Sequence, residues 1–170
     1  MIPAQVSSAL QKQLNLEFQA FYKYLAISSY CEAISLNGFA KWFSAQSEEE
    51  RGHAMKIYQY LLDQDEKIKL LPLTEPRSDF SSIEDAVATA LENEQIVTRS
   101  INELAGLTIK ESDYATHSFL KWFIDEQVEE EATVRTMLDQ VKMVKNSGEG
   151  LLMLDREFSA RGPEEDAGAK

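Results

Sequence analysis

Apolar residues recur along this chain at three- and four-residue steps in four long stretches. From about residue 5 to 34, after Pro3, the stripe reads Val6, Leu10, Leu14, Phe21, Leu25 and Ser28. A second stripe starts near Asn37-Gly38 and runs to about Gln64 through Phe39, Phe43, Gln46, Glu50, His53, Ile57, Tyr60 and Leu61. The third opens with Ser81-Ser82-Ile83-Glu84, a capping-box pattern, and continues through Val87, Ala90, Leu91, Glu94, Val97, Ile101 and Leu104 to about Lys110. The fourth follows Asp113, placed as its N-cap, with Phe119, Leu120, Phe123, Gln127, Glu130, Val134, Met137 and Val141, ending near Lys145. The spacing predicts four long amphipathic helices. Asn146-Ser147-Gly148 then breaks the pattern, a short fifth helix is expected over Gly150–Phe158, and the small, charged residues 159–170 are expected to be a disordered tail.

Between Asp65 and Phe80 the periodicity fails, and Pro72 and Pro76 mark an extended connection. Fifteen or so residues reach back along a helix of about thirty, roughly 45 Å, only when nearly fully stretched. The second and third helices are therefore expected to lie parallel, joined by a single long crossover in an all-α four-helix bundle.

Composition narrows the picture. With 170 residues the chain makes one domain, residues 1–158, able to bury a core without disulfides, and seven Gly with four Pro suit helices. The lone cysteine, Cys31, is expected to pack as a small hydrophobe. A net charge of -12 disfavours nucleic acid and anionic membranes and favours cations as partners. No membrane span or secretory segment is visible in Met1–Gln13, so a cytoplasmic location is expected, or an organelle if a targeting peptide had preceded Met1.

Candidate chemistry lies where the stripes turn polar. Glu50-Arg51-Gly52-His53 sets a carboxylate and an imidazole at i and i+3 on one helix face, and Glu17, Glu94 and Glu130 interrupt the other three stripes. A lone buried carboxylate costs several kcal/mol, so a converging group needs a common cationic partner. Oxygen-rich ligation with one imidazole suits iron better than structural zinc or calcium, and Glu50 is assigned the bridging role between two ions. Tyr24, two turns after Glu17 on the same face, is a candidate hydrogen-bond donor to a ligand or an electron donor. Trp122 is read as packing, and His117 is given no role. The competing reading is a structural or interaction bundle with polar core positions and no metal; taken singly, each of Glu17, Glu94 and Glu130 also reads as a helix-surface carboxylate.

Asn15-Leu16-Glu17, Glu48-Glu49-Glu50-Arg51-Gly52-His53-Ala54, Glu94-Gln95-Ile96, the Trp122–Glu131 block and Gly148-Glu149-Gly150-Leu151-Leu152-Met153-Leu154-Asp155 together resemble the non-haem bacterial ferritins. That resemblance spans residues 5–158. It implies a ferritin-like four-helix bundle with a short fifth helix, assembled as a homo-oligomeric cage of 24 subunits that oxidises Fe(II) with dioxygen and stores the ferric mineral. By resemblance, Glu17, Glu50 and His53 hold the first iron of a di-iron centre. Glu50, Glu94 and Glu130 hold the second, with Gln127 nearby, and Glu49, Glu126 and Glu129 with Glu130 form a third iron site. Glu111 and Asp113, near the turn from the third helix to the fourth, are channel candidates by position only. Bacterioferritins carry a second Glu-x-x-His where this chain has Gln127-Val128-Glu129-Glu130, and a haem-ligating Met where it has Gly52; no haem is expected. A single cysteine excludes the Cys cluster of rubrerythrins. A peroxide-consuming protective protein with little storage is the alternative use of the same metal site.

Overall fold

The computed structural model describes residues 2–145 and 147–160 and contains five helices among them: α1 (Ala4–Ala33), α2 (Asn37–Asp63), α3 (Ile83–Lys110), α4 (Tyr114–Met143) and α5 (Gly148–Ala160). Helices α1, α2 and α3 end alike. Ser35, Asp65 and Ser112 adopt left-handed backbone angles (φ 63°, 59° and 56°). The amide after each one returns to a carbonyl in the last helical turn, Leu36 to Cys31, Glu66 to Leu61 and Asp113 to Thr108. These reversals satisfy carbonyls that a helix end leaves open, and two of them fold α1 onto α2 and α3 onto α4 as antiparallel hairpins. Asp113 caps α4 as expected, accepting from the Thr116 amide and hydroxyl. At α3 the cap falls one residue later than the capping-box pattern placed it. Ser82 accepts from the Asp85 amide, and the Asp85 carboxylate reaches back to the Ser81 amide.

The crossover is pegged along α1 in order. Glu66 accepts from the Ser7 hydroxyl, the Lys69 amide donates to Gln11, both backbone groups of Thr74 pair with the Gln19 amide, and Phe80 packs edge-on against Tyr30. Crossover and α1 thus run in the same direction, so α3 starts level with the start of α2 and lies parallel to it. Prolines and side chains of α1, rather than a ladder of its own, hold this segment straight.

Two apolar layers fill the bundle. One gathers Ile27, Cys31, Phe39, Phe43, Val87, Met137 and Phe158; the other gathers Val6, Leu10, Ile57, Leu61, Ile101, Leu120 and Phe123. A band of buried polar side chains separates them. Cys31 is buried as expected, and burial pushes its thiol up to about 12, which makes it unreactive. In the second half of α1 the core face passes through Ala20, Tyr24 and Ile27 instead of Phe21 and Leu25; Leu25 is exposed. The 3.6-residue period drifts from a strict three-four alternation, so the stripe rotates along a helix this long.

Helix α5 begins two residues earlier than expected and includes Ser159 and Ala160; residues 161–170 of the expected tail lie outside the described residues. It lies across the start of α2, where Asp155 accepts from the amides of Gly38 (2.8 Å) and Phe39 (3.0 Å). A Cβ at position 38 would stand 1.6 Å from the Asp155 carbonyl oxygen, so only glycine permits this approach. Among the described residues no helix is long and apolar enough to cross a membrane.

Candidate metal centre

Each of the four long helices sends one glutamate into the polar band at mid-height. Glu17 and Glu94 are fully buried, Glu50 and Glu130 are 1 % and 6 % exposed, and His53 is 5 % exposed beside them. On α2, Glu50 and His53 share a face at i and i+3, with Nδ1 of His53 3.4 Å from Oε2 of Glu50. Ligand atoms of Glu17, Glu50 and His53 all lie within 4.8 Å of one another. The sequence-predicted carboxylates of α1 and α2 therefore converge with the histidine.

Other carboxylates in the band are held by hydrogen-bond donors. Tyr24 Oη and Asn93 Nδ2 donate to Glu94 Oε1, and Gln127 Nε2 donates to Glu94 Oε2 at 3.2 Å. Asn93 is in turn held by the Lys23 ammonium at 2.8 Å. Gln46 donates to both oxygens of Glu130 at 2.8 Å. Gln13 donates to Glu17 Oε1 at 2.7 Å and accepts from Ser100 across to α3. Apart from the proton that Glu17 and Glu50 can share, no described donor points at Glu17 Oε2 or at either oxygen of Glu50. Buried acceptors left this way cost free energy unless a ligand or proton satisfies them.

Electrostatics follow from that geometry. Burial, first of all, pushes Glu17 up to about 7, opposed by the Gln13 bond and by a proton shared with Glu50. Glu50 rises well above the carboxylate range through burial and then through repulsion from Glu94, Glu17 and Glu130. Glu130 rises through burial and the charges of Glu94 and Glu49, and Glu94 through burial despite its donors. The Tyr24 phenol, buried among carboxylates, is pushed far up and stays a donor. Without a cation this band holds protons, and a divalent ion is the natural replacement for them.

The remaining sequence candidates lie on the α2–α4 side. Glu49, Glu126, Glu129 and Glu130 line one groove of about 420 Å³ that continues past Met137 to Phe158. Glu126 converges with Glu130 and with His53, their ligand atoms within 4.8 Å of one another, so the imidazole faces both clusters. Glu49 is half-buried and Glu129 exposed. Trp122 packs edge-on to His53 at 5.3 Å and carries Lys56 over its ring, so it closes the outer side of the histidine. Asp113 serves the α4 cap, Glu111 ends α3 and His117 meets Thr108. Sequence reading missed the holders Gln13, Lys23, Asn93 and Ser100. Gln13 had a usable sign, a polar residue one turn before Glu17 on a buried face; Lys23 and Asn93 had none.

A bundle with one long crossover and a mid-height layer of carboxylates with one imidazole falls in the class of carboxylate-bearing helical bundles. Comparison with known proteins makes the assignment specific: the ferritin-like domain model matches residues 7–144. A bacterial non-heme ferritin of Staphylococcus haemolyticus is 37 % identical over 98 % of this chain and all of its own length. Another from Staphylococcus saprophyticus is 38 % identical, covering 95 % of this chain and 96 % of its own. An open-pore ferritin from the archaeon Archaeoglobus fulgidus superposes with a TM-score of 0.93 at 36 % identity, over 95 % of this chain and 99 % of that one. The chain belongs to the ferritin family, on the non-haem bacterial side.

Proposed function

We propose that this protein oxidises ferrous iron with dioxygen inside each subunit and stores the ferric product within a cage of 24 copies. Glu17, Glu50 and His53 take the first ferrous ion. Glu50, Glu94 and Glu130 take the second, with Gln127 beside Glu94, and Glu49, Glu126 and Glu129 with Glu130 take a third. Ferrous ions are the substrate and supply the electrons that dioxygen accepts.

The observation that carries this reading is the trio of buried oxygens that no other group donates to, Glu17 Oε2 and both oxygens of Glu50, converging with His53. Hydrogen bonds orient Glu94 in advance, while Glu50 is unpinned and able to reach two ions. Entry of cations displaces the protons that burial keeps on Glu17 and Glu50. The net charge of -12 per chain, repeated around a cage, draws ferrous iron inward. Cage assembly rests on family membership and on a fifth helix docked through Asp155.

The test is anaerobic ferrous titration of the apoprotein followed by admission of dioxygen, counting iron oxidised per subunit. Two ions oxidised rapidly per subunit support the reading, and no fast phase refutes it. Light scattering of the purified protein checks the assembly, with a mass near 24 chains expected.

A further inference from the structure

Gln46 lies on α2 one turn before Glu50, is 6 % exposed, and sends one amide nitrogen across to α4, 2.8 Å from each oxygen of Glu130. Glu17, Glu50 and His53 converge without Glu130, whereas Glu130 converges with Glu126 and His53 beside the groove. Gln46 also lines that groove, so it stands at the boundary between the groove and the interior. A carboxylate has about four acceptor sites. One amide nitrogen takes an acceptor site on each oxygen of Glu130, so turning the carboxylate away from it breaks at least one of the two bonds.

We propose that Gln46 is a latch, a positioning residue that keeps Glu130 on the groove side and must release it before Glu130 can complete the paired position. This rests on the metal reading above and adds to it a protein group that sets how cations divide between the two positions. Hydrogen bonds to a carboxylate are strong enough to weigh in that choice. A donor and a cation cannot share one acceptor site, so the amide competes directly with metal arriving from the interior.

Zinc, which does not change oxidation state, reports positions without turnover. Crystals of the apoprotein and of Gln46→Met are soaked in limiting Zn²⁺, and anomalous scattering gives the occupancy at the groove position and at the second position of the pair. The latch predicts that the groove-to-pair ratio falls about ten-fold in Gln46→Met, the weight of one charge-assisted hydrogen bond. Gln46→Ala serves as a second variant and moves the ratio the same way, and metal-free crystals of either show Glu130 turned inward. An unchanged ratio, or Glu130 unmoved in both variants, overturns the latch while leaving the metal reading intact. Wild-type crystals without zinc at either position overturn both.

Discussion

The two halves of the polar band solve the same problem in opposite ways. Position 50 to 53 on α2 reads Glu-x-x-His, and position 127 to 130 on α4 reads Gln-x-x-Glu. On the α3–α4 side Glu94 is held by Tyr24, Asn93 and Gln127, and Glu130 by Gln46. On the α1–α2 side Glu17 is held by one oxygen and Glu50 by neither. Satisfied carboxylates are oriented before a ligand arrives; unsatisfied ones are stable only with a proton or a cation. One half is therefore preorganised and the other is demanding, and a cation would answer the demand.

The largest effect comes from breaking the demanding half. Glu50→Ala and His53→Ala are expected to remove the fast phase of ferrous oxidation, a loss of about two orders of magnitude or more, while circular dichroism remains helical. Gln127→Leu, on the preorganised half, is expected to slow oxidation by about ten-fold only. Equal losses in both halves, by stopped-flow absorbance, would erase the distinction.

Stability of the apoprotein should show opposite signs. Glu50→Leu removes a buried carboxyl that no donor pins and is expected to stabilise the metal-free fold by about 1–3 kcal/mol in urea titration. Asn93→Ala takes a donor from Glu94 and cuts Lys23 from its acceptor, and is expected to destabilise it by about 1–2 kcal/mol. Both variants moving in the same direction would contradict the comparison.

A pH series sharpens it further. Burial raises Glu17 to about 7 from an ordinary 4.5, so between those values the native apoprotein holds a proton that the unfolded chain has released. Protons bound in excess by the native state make its stability fall as pH rises. The urea midpoint of the apoprotein is expected to decline from about pH 4.5 to about 7 through this group, and the decline should weaken in Glu17→Gln. Zinc-loaded protein should lack this component, because the bound cation favours the ionised carboxylate throughout.

The smallest change is Tyr24→Phe. Its hydroxyl donates to Glu94, which keeps two other donors, so iron binding should persist with less than about a ten-fold change in affinity. Rapid-mixing spectra are expected to differ in rate or in the species seen during oxidation, and identical traces would reduce Tyr24 to a packed ring.

Much of this was legible before any coordinates. The stripes located four helices to within a few residues, the prolines and missing periodicity exposed the crossover, and Glu-x-x-His marked the centre because a charged pair in an apolar stripe conflicts with burial. Phe21 and Leu25 were placed on the wrong face, since counting steps accumulates angular error over thirty residues. The α3 cap slipped by one because Ser81 and Ser82 both carry a hydroxyl and Glu84 and Asp85 both carry a carboxylate.

Local chemistry along the chain was sufficient for helix periods, the lone Glu-x-x-His and the polar position in each stripe, because those depend on residues within a turn or two of each other. Which oxygens are pinned and which are open depended on tertiary packing. Lys23 meets Asn93 seventy residues away, Gln46 meets Glu130 eighty-four away, and Ser100 meets Gln13 eighty-seven away. Such pairs have no period or spacing in the chain. They exist only once the crossover has set α3 and α4 beside α1 and α2, and it is this packing that leaves Glu50 without the pinning donors that Glu94 and Glu130 have.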